Sequence, residues 1–182
     1  MNLCREGFFF VRQPVEREGV SKVTDDELKR DPIYKEYTIA RDSIQLLRAY
    51  VTRCDAERGP NEKLPAPGIG IGLQFMQRHR WKDETTAEGD LLAKVTFGPK
   101  QDKDAFILKA HIEVRGIFKA KEAPKDKQKI DKQLALQLVP QLIPYARGAV
   151  MTVAALMGIP ASCELIPTMD ILKSIRKNRD HD

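Results

Sequence analysis

The sequence predicts an α+β protein in which a four-stranded antiparallel sheet is followed by a long, Pro-interrupted helix and a short C-terminal helix. Two observations carry this prediction. Apolar and polar residues alternate in four segments between residues 43 and 118, as in strands with one buried face. After residue 130 the apolar residues recur every three or four positions, as on one face of a helix. Strands that precede helices in this way favour the α+β class over alternating βαβ units.

Residues 1–37 are predicted to form an N-terminal extension that is partly mobile, and residues 38–179 to form the single folded domain. Thr24-Asp25-Asp26-Glu27 fits a capping box, in which the threonine hydroxyl accepts from a backbone amide while the glutamate reaches back. Pro32 is expected to end this helix after a short turn, since proline supplies no amide donor and crowds the preceding turn.

The first strand is predicted to contain a β-bulge. Its apolar residues alternate, slip by one position and then alternate again: Ile44 and Leu46, followed by Leu47, Ala49 and Val51. The segment 54–67 is rich in glycine and proline and is predicted to be a loop. This loop is long enough to cross over other strands.

Three further segments predict strands with one apolar and one polar face. The apolar faces hold Ile69, Ile71, Leu73 and Phe75 in the second strand, Leu91, Ala93, Val95 and Phe97 in the third, and Phe106, Leu108, Ala110, Ile112 and Val114 in the fourth. The opposite face of the fourth strand holds Lys109, His111, Glu113 and Arg115. Short links join these three strands, so they are expected to be hairpin neighbours.

The helical pattern covers two elements. The apolar face of the first contains Ile130, Leu134, Leu138 and Leu142, and later Ala146, Ala149, Val150, Val153 and Met157. Pro140 and Pro144 are expected to kink this helix or divide it in two. Gly158 and Pro160 predict its end. A second, shorter helix is expected to begin near Thr168.

Composition indicates a cytoplasmic protein without disulfides. The three cysteines are widely separated and form no CxxC pair, which argues against a disulfide framework or a zinc knuckle. No stretch has the length of a membrane span or the apolar core of a signal peptide. The formal charge of +5 allows an acidic partner. Because lysine and arginine are spread along the whole chain, general solubility is favoured over nucleic-acid binding.

No catalytic constellation is visible, so the chain is predicted not to be an enzyme and to need no cofactor or metal. His79, His111 and His181 have no cysteine or carboxylate at ligand or triad spacing. The glycines of Gly68-Ile-Gly-Ile-Gly72 alternate within a strand pattern, whereas a phosphate-binding turn would lie between a strand and a helix.

Four short motifs follow one another in the C-terminal half: Gly116-Ile117-Phe118, Leu142-Ile143-Pro144-Tyr145-Ala146-Arg147, Gly158-Ile159-Pro160, and Leu165-Ile166-Pro167 with Met169-Asp170. Their order and approximate spacing resemble those of the SecB family of chaperones, over roughly residues 105–175. In that family a strand end precedes a proline-tyrosine-alanine-arginine helix, a glycine-x-proline turn and a short final helix. The first strand, from Ser43 to Arg48, is also similar.

The resemblance implies a homotetramer built as a dimer of dimers. First strands of two protomers join into a larger sheet, and the long helices of two such dimers pack together. The corresponding interface residues are Ile44, Leu46, Ala146, Ala149, Val150, Val153 and Met157. The apolar row on the helix is broader than one four-stranded sheet needs, which favours a covering second copy. Ordinary core packing in a monomer is the alternative.

The resemblance also implies a binding function for non-native polypeptides, which SecB-like proteins hold in long apolar grooves. The matching positions are Leu64, Ile117, Phe118, Leu165, Ile166, Ile171, Leu172 and Ile175. Each buried aliphatic contact contributes roughly 1.5–3 kcal/mol, so several weak anchors bind a client without demanding one sequence. A role in the protein core is the alternative for each residue.

One departure from the family concerns the polar face of the sheet. In the export chaperone this face is acidic and docks a basic segment of the SecA motor. The matching positions here are Ser43, Leu47, Lys109 and His111, and none is a carboxylate. The chain therefore looks more like the solitary SecB-like proteins of toxin–antitoxin systems, whose client is an antitoxin. Delivery of clients to SecA is one alternative, and nucleic-acid binding through Lys119–Lys132 and Lys173–Arg179 is another.

Overall fold

The computed structural model describes residues 32–60, 69–99, 105–123, 125–159 and 165–166. Its elements, in chain order, are helix α1 (Pro32–Ser43), strands β1 (Ile44–Arg58), β2 (Ile69–Trp81), β3 (Thr86–Pro99) and β4 (Leu108–Ala120), and helix α2 (Lys127–Leu156). Four antiparallel strands followed by a long helix confirm the predicted α+β class. The short helix predicted from Thr168 lies outside the described residues.

The sheet has the strand order β1-β4-β3-β2, and all neighbours are antiparallel. The strands β2, β3 and β4 are therefore hairpin neighbours, as their short links predicted. The segment between β1 and β2 carries the chain past β4 and β3 to the other edge, which confirms the predicted crossover. β1 and β2 are the two edge strands of the described sheet.

β1 contains two bulges. Its pairing with β4 shifts between Leu46 and Arg48, where the sequence predicted a slip, and again between Val51 and Arg53. The second shift was not predicted, because the apolar alternation ends at Val51. Each bulge inserts one extra residue. Because of the first one, Ile44, Leu46, Ala49 and Val51 all lie on the same face of the sheet, the one towards α2.

The core lies between one face of the sheet and α2. Burial alternates along β3 and β4, and every second side chain is buried beneath the helix. Two glycines allow close approach of the helix. A Cβ on Gly89 would lie 2.4 Å from Leu138 Cδ1, and one on Gly116 would lie 2.8 Å from Leu142 Cδ2.

α2 is one continuous element of 30 residues with Pro140 and Pro144 inside it, so the prolines do not divide it. It begins after Asp126, whose carboxylate accepts hydrogen bonds from the amides of Gln128 and Lys129 at 3.0 and 3.1 Å. It ends at the predicted stop. Gly158 has a φ of +74°, a conformation that suits glycine, and the next amide bonds back to Ala154.

α1 was not predicted. Pro32 was interpreted as the end of a helix, but it stands at the first position of one, where its missing amide costs nothing. α1 packs against α2 through buried Ala40, and the side-chain amide of Gln137 donates to the Tyr37 carbonyl at 3.1 Å. The predicted capping box and residues 1–31 lie outside the described residues, so the extension stays a prediction.

Candidate functional site

The sheet has a core face, covered by α2, and an outer face that carries most of its charge. Strand alternation assigns the faces. In β4 the side chains of Lys109, His111, Glu113 and Arg115 lie on the outer face, as predicted, because the residues between them are buried. Residues paired across neighbouring strands share a face, so the register extends this assignment to the whole sheet.

Carboxylates on the outer face are tied to arginines. Asp90 accepts two hydrogen bonds from Arg115, at 2.7 and 3.2 Å, and one from Arg78 Nε at 2.9 Å. Arg78 also donates from Nη2 to Glu113 at 2.8 Å. Burial raises the pKa of the Asp90 carboxyl, but the hydrogen bonds and charges of the two arginines lower it by more. The pKa of Asp90 therefore lies below its ordinary value. Asp90 is therefore the ionised centre of a fixed network across three strands.

A second cluster of ion pairs lies on the same face, at the end of β2. Arg80 Nη2 lies 2.6 Å and Lys82 Nζ 3.0 Å from carboxylate oxygens of Glu88. These hydrogen bonds lower the pKa of the Glu88 carboxyl below its ordinary value. Two basic groups per carboxylate leave this part of the face without free negative charge.

The four predicted docking positions do not form one surface. Ser43 ends α1, and its hydroxyl donates to the Ile39 carbonyl at 2.7 Å. Leu47 is the extra residue of the first bulge and is 60% exposed. Lys109 and His111 lie in β4, and the Lys109 ammonium is 3.8 Å from the Phe106 ring centroid.

The register of β1 places carboxylates beside two of the predicted docking positions. Glu57 lies directly opposite Lys109, and Asp55 lies opposite His111. No carboxylate occupies the four predicted positions, but two acidic residues of the neighbouring strand stand beside them. This pairing depends on a contact between distant parts of the chain, which the local pattern did not contain.

The outward side of α2 is uncharged over its last three turns. It is formed by residues spaced three or four apart, opposite the side that packs on the sheet: Pro144, Tyr145, Gly148, Thr152, Ala155 and Leu156. Leu156 is 83% exposed, and a Cβ on Gly148 would have no neighbour within 4 Å. We call these six residues the α2 outer face.

The interface predicted from the sequence falls largely on the other side of this helix. Ala146 and Val150 are fully buried within the protomer, as is Ile44 at the start of β1. Their side chains have no exposed surface in the protomer, while the backbone of Ile44 lies on the β1 edge, and their assignment as interface residues stays a prediction. The remaining four are half-buried: Leu46, Ala149, Val153 and Met157. Of these, Leu46, Ala149 and Met157 pack against the core.

The four predicted groove residues that the structure describes lie on different faces of the protomer. Ile117 is half-buried on the outer face of β4, while its neighbour Phe118 is fully buried on the core face. Leu165 and Ile166 are also fully buried, and Arg147 Nε holds this segment by donating to the Ile166 carbonyl at 2.8 Å. The other four positions lie outside the described residues: Leu64, Ile171, Leu172 and Ile175.

Within the described residues, no group of three or more histidine, cysteine or carboxylate residues is placed to hold a metal ion. Burial and the adjacent Asp55 raise the pKa of the Cys54 thiol, which therefore stays protonated at neutral pH. In the same part of the chain no helix combines the length and apolar character needed to cross a bilayer.

The arrangement of sheet, crossover and helix defines the class of fold. In this fold the first strand of an antiparallel sheet pairs with the fourth, and one long helix packs against the sheet. This is the fold of the SecB-like chaperones. No protein-family model matches the chain, and no curated protein sequence does so either.

A solved structure gives the particular likeness. The chain is similar to the Mycobacterium tuberculosis Rv1957 SecB-like chaperone, solved in complex with a ChAD peptide from the Rv1956 HigA1 antitoxin. The TM-score is 0.55 at 17% sequence identity, and the match covers 71% of this chain and 94% of that one. The resemblance inferred from the four sequence motifs is thereby confirmed as a resemblance of fold.

Proposed function

We propose that this protein is an ATP-independent chaperone that holds non-native polypeptides. The observation that carries the proposal is the SecB-like fold. The exposed Tyr145 and Leu156 of the α2 outer face fit a protein that also assembles through this helix. No catalytic role is proposed for any residue.

For the client, we propose an antitoxin. The support is the structural neighbour, which was solved with an antitoxin peptide bound. The charge of the outer face supports it too. Lysines and arginines outnumber the carboxylates there, even with Asp55 and Glu57 beside His111 and Lys109, and Asp90 and Glu88 are each held by two basic side chains. A net positive face disfavours docking of the basic SecA segment. General export through SecA is accordingly the weaker alternative.

The proposed assembly is a homotetramer, with β1 edges paired within dimers and helices packed between them. β1 is an edge strand of 15 residues, and such an edge invites pairing with another strand. In this assembly the α2 outer face meets its counterpart, in place of the buried residues that the sequence suggested. Small residues such as Gly148 and Ala155 favour close approach of two helices.

A holding assay tests the function. The purified full-length chain is added to a chemically unfolded model client, and aggregation is followed by light scattering with and without ATP. We expect suppression at near-stoichiometric ratios that ATP does not change. Polar replacement of Leu64 and Ile171 together is expected to weaken holding by roughly 2–4 kcal/mol. Aggregation at the rate of the client alone would contradict the proposal.

The client is tested separately. The genes beside this one are read for a small toxin and antitoxin, and the lifetime of that antitoxin is measured in cells with and without this chain. We expect a longer lifetime with the chaperone. An unchanged lifetime alongside normal holding of the model client would reject the antitoxin and keep the holdase.

A further inference from the structure

A mixed apolar and basic patch lies where β1 and β4 meet on the outer face. The first bulge of β1 sets Leu47 and Arg48 together opposite Ile117, and the next outer-face pair is Tyr50 with Arg115. Leu47 is 60% and Tyr50 37% exposed. We call these five residues the Tyr50 patch.

The protomer fold does not explain this exposure. The apolar contacts that β1 makes to the core come from Ile44, Leu46, Ala49 and Ala56, while Leu47 is pushed out of the ladder by the bulge. Bulges commonly redirect a side chain towards a functional surface. The guanidinium of Arg48 lies 5.2 Å from the Tyr50 ring centroid, so a cation and an aromatic ring are held together at the surface.

The electrostatic setting of the patch is positive. Across the described sheet, the outer face carries eight lysines and arginines against five carboxylates: Arg48, Arg53, Arg78, Arg80, Lys94, Lys109, Arg115 and Lys119 against Asp55, Glu57, Glu88, Asp90 and Glu113. The carboxylates nearest the patch are Asp90 and Glu88, and each is bound by two basic groups. Within the described residues, Arg48 and Lys119 form no ion pair.

We propose that the Tyr50 patch docks an acidic segment of a partner protein that also carries apolar side chains. Leu47, Tyr50 and Ile117 supply apolar contact area. Arg48 and Lys119, which form no ion pair with the described residues, meet carboxylates at its rim. Tyrosine and arginine are the residue types enriched at protein–protein hot spots. The patch shares only Ile117 with the predicted client groove. Its other four residues lie on the face away from α2, so the proposal does not depend on the holding function.

Nucleic acid is a less suitable occupant. The phosphate backbone carries a charge at every nucleotide, whereas Arg48 and Lys119 are the two cations at the patch that form no ion pair within the described residues. A protein segment matches this mixed apolar and basic patch better, since its carboxylates are spaced among apolar side chains.

The probe is a short fluorescein-labelled peptide with glutamate and leucine in about equal number, and its counterpart has lysine in place of glutamate. Anisotropy is measured with the full-length chain at low salt. We expect the acidic peptide to bind and the basic peptide not to bind. Arg48→Glu and the double change Leu47→Ser with Tyr50→Ser are each expected to weaken binding roughly tenfold or more.

The matched control is Lys125→Glu, which makes the same charge change at an exposed residue before α2 and should leave the affinity unaltered. Holding of the model client should be normal in all variants, which separates this site from the proposed holdase. Equal binding by wild type and Arg48→Glu would overturn the proposal, because the peptide would then occupy a client groove. Absent peptide binding, or binding of a single-stranded oligonucleotide that Arg48→Glu abolishes, would also overturn it.

Discussion

The indole Nε1 of Trp81 donates a hydrogen bond to Asp131 Oδ1 at 2.5 Å, and this bond joins the end of β2 to the first turns of α2. His79 Nε2 lies 3.5 Å from the same carboxylate oxygen, so the Asp131 side chain contacts two aromatic residues of β2. Trp81 is the only tryptophan of the chain. Its fluorescence therefore reports directly on the docking of the helix onto the sheet.

We predict that Asp131→Ala lowers the free energy of unfolding by about 1–3 kcal/mol, the usual cost of a hydrogen bond to a charged group. The emission of Trp81 should shift as its ring loses this partner. Urea unfolding followed by fluorescence and by circular dichroism measures both effects. Lys132→Ala, at an exposed residue next in the helix, is the control and should change neither signal. Equal effects of the two changes would show that the bond contributes nothing.

The sheet could be predicted because strand burial is encoded locally. Alternation along β3 and β4 identifies the core face, and the slip after Leu46 identifies a bulge before any partner strand is known. The stop at Gly158 is equally local, since only its own φ decides which residue fits there. The start of α2 was not predicted, although its signal was present. Asp126, an aspartate just before the apolar repeat, is the N-cap residue.

The surfaces could not be predicted in the same way. Alanine and valine at helical spacing suit a sheet as well as a second helix, so periodicity alone did not show that Ala146 and Val150 pack on the protomer's own sheet. The acidic neighbours of Lys109 and His111 depend on the register of β1 against β4, which joins residues far apart in the chain. Contacts of this kind are made only in the tertiary structure, and a local sequence pattern does not reveal them.

A second prediction concerns the pH dependence given by Asp90. Its pKa is below the ordinary value in the folded state, so its ion pairs stabilise the protein fully above about pH 4, the unfolded-state pKa. This stabilisation is lost as the pH falls through the lower, folded-state value. Asp90→Asn should therefore cost about 1–3 kcal/mol at neutral pH and progressively less below about pH 4.

Urea unfolding of wild type and Asp90→Asn across the acidic range measures this difference. Glu84→Gln removes a carboxylate from the exposed turn between β2 and β3 and is the matched control. It should leave the free energy of unfolding within about 0.5 kcal/mol. A cost for Asp90→Asn that stays constant down to full protonation would contradict the ion-pair explanation.

A third prediction concerns the close approach of α2 to the sheet. Gly116→Ala would place a Cβ 2.6 Å from a Phe118 ring carbon and 2.8 Å from Leu142, so the core must shift. We expect a loss of about 1–3 kcal/mol in the free energy of unfolding. Gly72→Ala is the control, because its Cβ would meet atoms no closer than 3.7 Å. If both variants unfold at the same urea concentration, the helix does not need glycine beneath it.

The last prediction tests the proposed assembly through the α2 outer face. Gly148 is exposed in the protomer and has open space around it, so a larger side chain there leaves the protomer fold intact. Gly148→Arg would set a charge into the proposed helix–helix contact, where an unpaired buried charge costs several kcal/mol. We therefore expect sedimentation velocity to show a tetramer for the wild type and smaller species for this variant, with unchanged circular dichroism. Gly148→Ala, which keeps the face small and improves helix propensity by roughly 0.5–1 kcal/mol, should remain tetrameric. A wild type that sediments as a monomer at micromolar concentration would reject the proposed tetramer. A Gly148→Arg variant that stays tetrameric would place the contact elsewhere.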